Sequence, residues 1–168
     1  AVLTLNRPAA RNSLSEGLIA ELHAALREIH DDNSVRALVI AANGPAFSAG
    51  HDMKELTARR SDADRGRAYF AEIMNACSAM MQAVVQLPKP VVVGVHGAVA
   101  GAGLSFVLNS DIAVASRGTK FVAGYPGIGL TPDAGVSWLL PRVVGQQRAL
   151  RHLLGNEPLS GDDALTWG

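Results

Sequence analysis

Two apolar periods alternate along the chain and divide it into elements. Ala1 to Leu5 is a short β-type run, closed by the turn-forming segment NRPAARN. Leu18, Ile19, Leu22, Leu26 and Ile29 then recur at helical spacing, which predicts a helix to about His30. Ser13-Leu-Ser-Glu16 before it has the pattern of a capping box. Val35 to Ala42 is a compact apolar strand. A loop, NGPAFSAGHD, leads to a short helix over Met53 to Arg60, and Ser61 to Arg67 is a polar, solvated stretch. Ala68 to Leu87 reads as a second long helix, stopped by the PKP turn. Val91 to Val95 is a buried strand, Gly101 to Asn109 a helix, and Asp111 to Ser116 a strand that Phe121 and Val122 extend within the same sheet. Pro132-Asp133-Ala134-Gly135 opens a helix through about Leu140. Gln146 to Leu154 and Ser160 to Trp167 are two final helical pieces. The alternation predicts an α/β fold, a layered β-sheet core with covering helices, in one domain over residues 1–168.

Composition narrows the function classes. A chain of 168 residues can bury a sizeable core. Fifteen Lys and Arg balance fifteen Asp and Glu, so no net field favours nucleic acid or an anionic membrane as partner. One cysteine, Cys77, excludes an internal disulfide and a cysteine-based metal cluster, and favours a reducing compartment. The longest apolar stretch, Val91 to Leu108, is interrupted by His96 and by Gly94, Gly97, Gly101 and Gly103, so it reads as strand, loop and helix and not as a membrane span. The sequence begins inside a strand-like run and stops in a helical pattern. Both ends are therefore expected to be truncated, and the missing targeting signal carries little weight.

Two glycine-rich loops hold the chemical information. AFSAGHDMKEL (46–56) follows a strand, and VHGAVAGAGLSFVLNSD (95–111) runs from strand through loop and helix to strand. Small residues let backbone N–H groups approach a ligand closely, and a helix beginning near Ala102 adds unpaired donors. Two such donors aimed at one oxygen make an oxyanion hole. From spacing alone, glycine-rich strand-to-helix turns are more often tight packing than ligand loops. The obvious rivals fit poorly: position 106 is Phe where a dinucleotide fingerprint needs a third glycine. No Gly-Lys-Ser/Thr phosphate loop or G-x-S-x-G elbow is present either.

In this order and separation, the loops resemble the paired signatures of the crotonase (enoyl-CoA hydratase/isomerase) superfamily. RPAARNSL (7–14) is similar to its N-terminal signature, and GIGLTPDAGVSWLLPRVVG (127–145) to its later segment. The resemblance implies a crotonase-like fold, shared with self-compartmentalising proteases, here without the usual C-terminal helices. It implies an acyl-CoA substrate, no metal or separate cofactor beyond the CoA of the substrate, and a homotrimer or dimer of trimers. The location implied is the cytoplasm, or the mitochondrial matrix in a eukaryote.

Residue by residue, the resemblance places the oxyanion N–H groups at His51 and Ala102. It places CoA and substrate contacts at Ala10, Arg11, Ala49, Asp52, Met53, Ala98 and Ser105. The two glutamates of true hydratases fall at Ser105 and Tyr125, so this chain lacks both. Asp133 matches an aspartate that family isomerases and a related aryl-CoA dehalogenase use as base or nucleophile. A catalytic Asp133 needs an apolar pocket, for which Tyr125, Phe106 and Trp138 are candidate walls; its alternative role is a helix N-cap. Tyr125 either donates a proton or fills the vacated glutamate space. The imidazole of His51 is expected at the entrance near the CoA. Asp111 is expected to tie down a turn and His96 to be a satisfied half-buried imidazole. His23 and His30 share a helix face without a carboxylate partner, and Cys77, Met74, Met80 and Met81 read as helix packing. The reading that follows is double-bond isomerisation of an enoyl-CoA through a thioester enolate, with Asp133 as base. Alternatives are enoyl-CoA hydration, thioester hydrolysis and a non-catalytic acyl-CoA-binding paralogue.

Overall fold

Parallel pairing organises the first two thirds of the chain. A computed structural model describes residues 1–168. Strands β1 (Val2–Leu5), β2 (Leu38–Ala42), β3 (Val91–Val95) and β5 (Ile112–Ala115) form one parallel sheet in the order β1-β2-β3-β5. Its register pairs Ile40 with both Leu3 and Val93. Parallel neighbours need crossovers, and helices α1 (Glu16–Asp31) and α3 (Arg67–Val85) lie in the first two. The apolar face of each helix supplies the core: Leu18, Ile19, Leu22 and Leu26 from α1, and Ile73, Cys77, Met80, Met81 and Val84 from α3. They join Leu38, Ile40, Val91, Val93 and Val95 of the sheet. Edge strand β5 is open, with Ile112 and Val114 more than half exposed.

A second sheet was not expected. Phe121 and Val122 do not extend the main sheet. They belong to β6 (Lys120–Val122), which pairs parallel with β4 (Ala98–Ala100) and antiparallel with β7 (Leu159–Ser160). Strand β4 lies inside the second glycine-rich loop, directly before α4 (Ala102–Leu108). The remaining helices are α2 (Met53–Ala58), α5 (Val136–Val144), α6 (Gln146–Gly155) and α7 (Gly161–Trp167). None is long and apolar enough to cross a membrane.

Three local expectations are corrected. The cap of α1 is Ser15, whose side chain accepts from Leu18 N–H, because the Ser13 hydroxyl instead donates to Asp52 at 3.0 Å. The strand expected from Val35 begins only at Leu38, since Val35 N–H is drawn into a turn onto the Asp32 carbonyl. Helix α5 begins after Gly135 and runs through Pro141 to Val144, past the expected end at Leu140. Asp111 does tie a turn, accepting from Val91 N–H at 2.7 Å at the start of β3.

Candidate active site

The two glycine-rich loops are laced together by backbone. The Ser48 carbonyl accepts from Ala100 N–H at 2.9 Å, and Phe47 N–H donates to the Ala98 carbonyl at 3.1 Å. Asn12, fully buried, braces the first loop from below: its amide donates to the carbonyls of Asn43 and Ala46, and its own carbonyl accepts from the Ser48 hydroxyl. This approach leaves no room for side chains. A Cβ on Gly50 would lie 2.8 Å from the Ala100 carbonyl oxygen and 3.2 Å from the Ala102 nitrogen, and one on Gly103 would lie 2.7 Å from the Ser48 carbonyl oxygen. Gly50 also holds φ +81, where a side chain is strained in any case.

Two N–H groups emerge unused from this junction. Leu14 forms a parallel bridge that takes the carbonyl of Gly50 and the N–H of Asp52, so the intervening His51 presents its own N–H to the opposite side. Ala102 is the first residue of α4, and its N–H has no partner within the helix. Neither N–H donates to any protein acceptor.

Asp133 faces the same region from the other half of the chain. It does not cap α5, whose N-cap is Gly135 with no side-chain bond. Ala134 at φ 46 and Gly135 at φ 88 turn the backbone left-handed twice and hold Asp133 outside the helix. For a residue with a Cβ that conformation costs about 1–2 kcal/mol. The Tyr125 phenol donates to Asp133 Oδ1 at 2.9 Å, and His51 Nε2 lies 3.4 Å from Asp133 Oδ2. The latter contact has charge-pair distance without hydrogen-bond alignment, for neither ring nitrogen of His51 has a hydrogen-bond partner. Asp133 and His51 line a cavity of about 240 Å³ with Phe70, Met74, Cys77, Ser78, Leu130, Thr131 and Ala134.

Burial sorts the acidic protons of this cavity. Burial, followed by the Asp133 charge and its hydrogen bond, pushes the Tyr125 phenol well above the ordinary phenol range. Burial and then the Asp133 charge push the Cys77 thiol up to about 12. Both groups stay protonated at neutral pH, so neither is a base.

Against known proteins, the whole chain, residues 1–168, matches the family model described as enoyl-CoA hydratase/isomerase. The chain belongs to the enoyl-CoA hydratase/isomerase family. It is 38% identical over 169 residues to the 1,2-epoxyphenylacetyl-CoA isomerase of Escherichia coli, covering 99% of this chain and 63% of that protein. It is 33% identical to a 4-chlorobenzoyl coenzyme A dehalogenase of an Arthrobacter species, covering all of this chain and 60% of that one. Among solved structures, a putative enoyl-CoA hydratase/isomerase from Mycobacterium abscessus superposes with a TM-score of 0.94 at 34% identity, over 99% of this chain and 64% of that one. The chain thus spans somewhat under two thirds of the length of these relatives.

Several expected site residues converge and several do not. Arg11 and Ala49 meet through the Ala49 N–H to Arg11 carbonyl bond, with Ala10 in the turn just before; Arg11 is exposed and has no acidic partner. Met53 and Ala98 are exposed at the loop rims. Asp52 ties the first glycine-rich loop to the turn at Arg7 and Ser13. Burial opposes its charge, but hydrogen bonds from Ser13, Lys54 N–H and Arg7 outweigh that and hold its carboxyl below the usual range. Ser105 is wholly buried in α4, its hydroxyl without a partner. His96 is satisfied, with Nε2 2.7 Å from the Gly44 carbonyl.

Trp138 is no pocket wall. It is 63% exposed, with the Arg142 guanidinium 3.2 Å from its ring centroid. Phe106 is buried edge-on against Phe47 and does not line the cavity. Their places are taken by Phe70, Met74 and Leu130, while Met74 and Cys77, read as packing, border the cavity. The His51 side chain is not at an open entrance; only 9% of it is exposed. Helical periodicity marked the inward face of α3 but carried no sign that part of it borders a cavity.

Proposed function

We propose that this chain carries the enolate-forming site of an enoyl-CoA isomerase. The observation that carries the reading is the pair of unused N–H groups, His51 and Ala102, beside a cavity whose one carboxylate is Asp133. The thioester carbonyl oxygen sits between the two donors. Asp133 takes the proton next to the thioester, the C–H electron pair moves into the enolate, and a proton delivered at the γ carbon completes the double-bond shift. Stabilising the enolate oxygen by preorganised donors contributes roughly 3–4 kcal/mol per donor. Exposed, unpaired Arg11 is available to a CoA phosphate.

One relative supports a double-bond shift by its name, the trans-2-decenoyl-[acyl-carrier-protein] isomerase of Streptococcus mutans at 38% identity, while another, of Rhodobacter capsulatus at 34%, is named a probable enoyl-CoA hydratase. Hydration by two glutamates is disfavoured by Ser105 and Tyr125 at the matching positions. The test is to supply 3-enoyl-CoA and 2-enoyl-CoA to the purified protein and follow both products. Isomerisation is expected, with Asp133→Asn lowering kcat by about 10²-fold or more. Unchanged isomerisation in that variant rules out the base, and water addition without isomerisation rules out the reaction.

A further inference from the structure

His51 carries a buried imidazole that the oxyanion role does not use. That role needs only its backbone N–H. The side chain is 9% exposed, and both ring nitrogens are buried without a hydrogen-bond partner. Buried polar atoms in folded proteins are nearly always paired, and an orphaned one costs about 1–3 kcal/mol. The ring lines the cavity of Asp133, with Nε2 3.4 Å from Oδ2. Tyr125 occupies the other carboxylate oxygen, so Oδ2 belongs to the histidine side of the carboxylate. The titratable groups of this neighbourhood are His51, Asp133, Cys77 and Tyr125, and the last two hold their protons tightly. His51 and Asp133 remain as the pair in contact across the cavity.

We propose that the His51 imidazole is the second proton-transfer group of this site and protonates the carbon at which the enolate is quenched, while Asp133 removes the α proton. The assignment rests on the enolate reading above. In this cycle Asp133 is the proton acceptor and His51 the proton donor. Asp133 accepts the α proton through the C–H bond that breaks, and the electron pair enters the dienolate. The γ carbon then forms its new C–H bond with the Nε2 proton, leaving imidazole neutral and Asp133 protonated. Transfer from Oδ2 to Nε2, once a small rotation aligns the two across their 3.4 Å contact, restores the starting pair, so no net proton, electron or co-reactant is consumed.

The test follows the proton. Single-turnover reaction of unlabelled 3-enoyl-CoA with protein equilibrated in D2O is expected to place deuterium at C4 in the first turnover, because the delivered proton comes from His51. One-group transfer by Asp133 would instead carry the C2 protium to C4. His51→Leu retains both backbone donors, so acyl-CoA affinity is expected to hold while kcat falls by about 10²-fold or more, with C2 protium now appearing at C4. His51→Gln is expected to fail equally, since an amide cannot release a proton. Protium at C4 with wild-type protein, or rescue by His51→Gln, overturns the assignment while leaving the enolate reading intact. Wild-type protein that neither exchanges C2 hydrogen nor forms product overturns the enolate reading itself.

Discussion

Gly103→Ala is the sharpest probe of the loop junction, because the same exchange elsewhere has the opposite sign. Gly103 lies in α4 with ordinary helical backbone, so conformation does not object to alanine. At the second position of a helix, Gly→Ala gains a few tenths of a kcal/mol up to about 1 from propensity alone. Space objects: the new Cβ would stand 2.7 Å from the Ser48 carbonyl oxygen and 2.9 Å from the Ser48 Cβ. Ser48 cannot retreat cheaply, since its carbonyl is bonded to Ala100 N–H and its hydroxyl to the Asn12 carbonyl. Overpacking of this kind costs about 1–3 kcal/mol, so the net expectation is a loss of roughly 0–3 kcal/mol. Gly17, in the first turn of α1, has nothing within 4 Å of its Cβ direction, and Gly17→Ala is expected to stabilise by a few tenths of a kcal/mol up to about 1.

The functional loss at Gly103 should exceed the stability loss. Relief of the clash moves α4 away from the first loop and with it the Ala102 N–H. Losing one oxyanion donor costs about 2.7–4 kcal/mol of barrier, a factor of about 10²–10³ in kcat. Urea melts of the two variants beside wild type, with exchange of the C2 hydrogen of an acyl-CoA as the activity readout, measure both quantities. Gly103→Ala with full exchange activity and stability matching Gly17→Ala would falsify the claim that loop contact sets the donors.

Three further outcomes are expected. Tyr125→Phe removes a 2.9 Å donor to Asp133; a bond to a charged group is worth about 1.5–3 kcal/mol, so steady-state kinetics should show at least about a tenfold change in kcat with little change in acyl-CoA affinity. His152 is buried, which lowers its pKa in the folded state against the backbone bond to Glu157 that raises it. The unfolded chain therefore binds more protons, stability falls as pH drops below about 6.5 towards the folded value, and His152→Asn should flatten urea midpoints between about pH 7 and 5. Lys89 places Nζ among the carbonyls of Ile29, His30 and Asp32 at the end of α1; Lys89→Met should cost about 1 kcal/mol in a urea melt and leave C2 exchange unaltered.

What the sequence disclosed depended on range. Helix α1 and strand β3 were legible because their periodicity is local and their apolar faces meet the core directly. Strand β4 was not: Ala98, Val99 and Ala100 are three small residues in a glycine-rich run, and only pairing with β6 some twenty residues away makes them a strand. The cap of α1 failed for a similar reason. Ser13 and Ser15 both suit the local pattern, and the choice is made by Asp52, 39 residues from Ser13. The cavity wall is the extreme case, since Phe70 and Met74 of α3 meet Leu130 across a third of the chain.

The site follows the same rule, with a consequence for how its chemistry can vary. An oxyanion donor supplied by backbone fixes the conformation at position 51 and leaves the side chain there unspecified. Conformation is secured separately, by Gly50, by the Leu14 bridge and by Asp52 held on Ser13, Lys54 and Arg7. With the donor secured in that way, the side chain at 51 is left to line the cavity of Asp133. Here it is an imidazole 82 positions from the carboxylate it meets, a pairing that no local pattern encodes. Substitution at 51 should therefore alter proton delivery without altering carbonyl binding. The two variants His51→Leu and Gly103→Ala separate those functions: the first is expected to keep acyl-CoA affinity while isomerisation falls, the second to lose C2 exchange and isomerisation together.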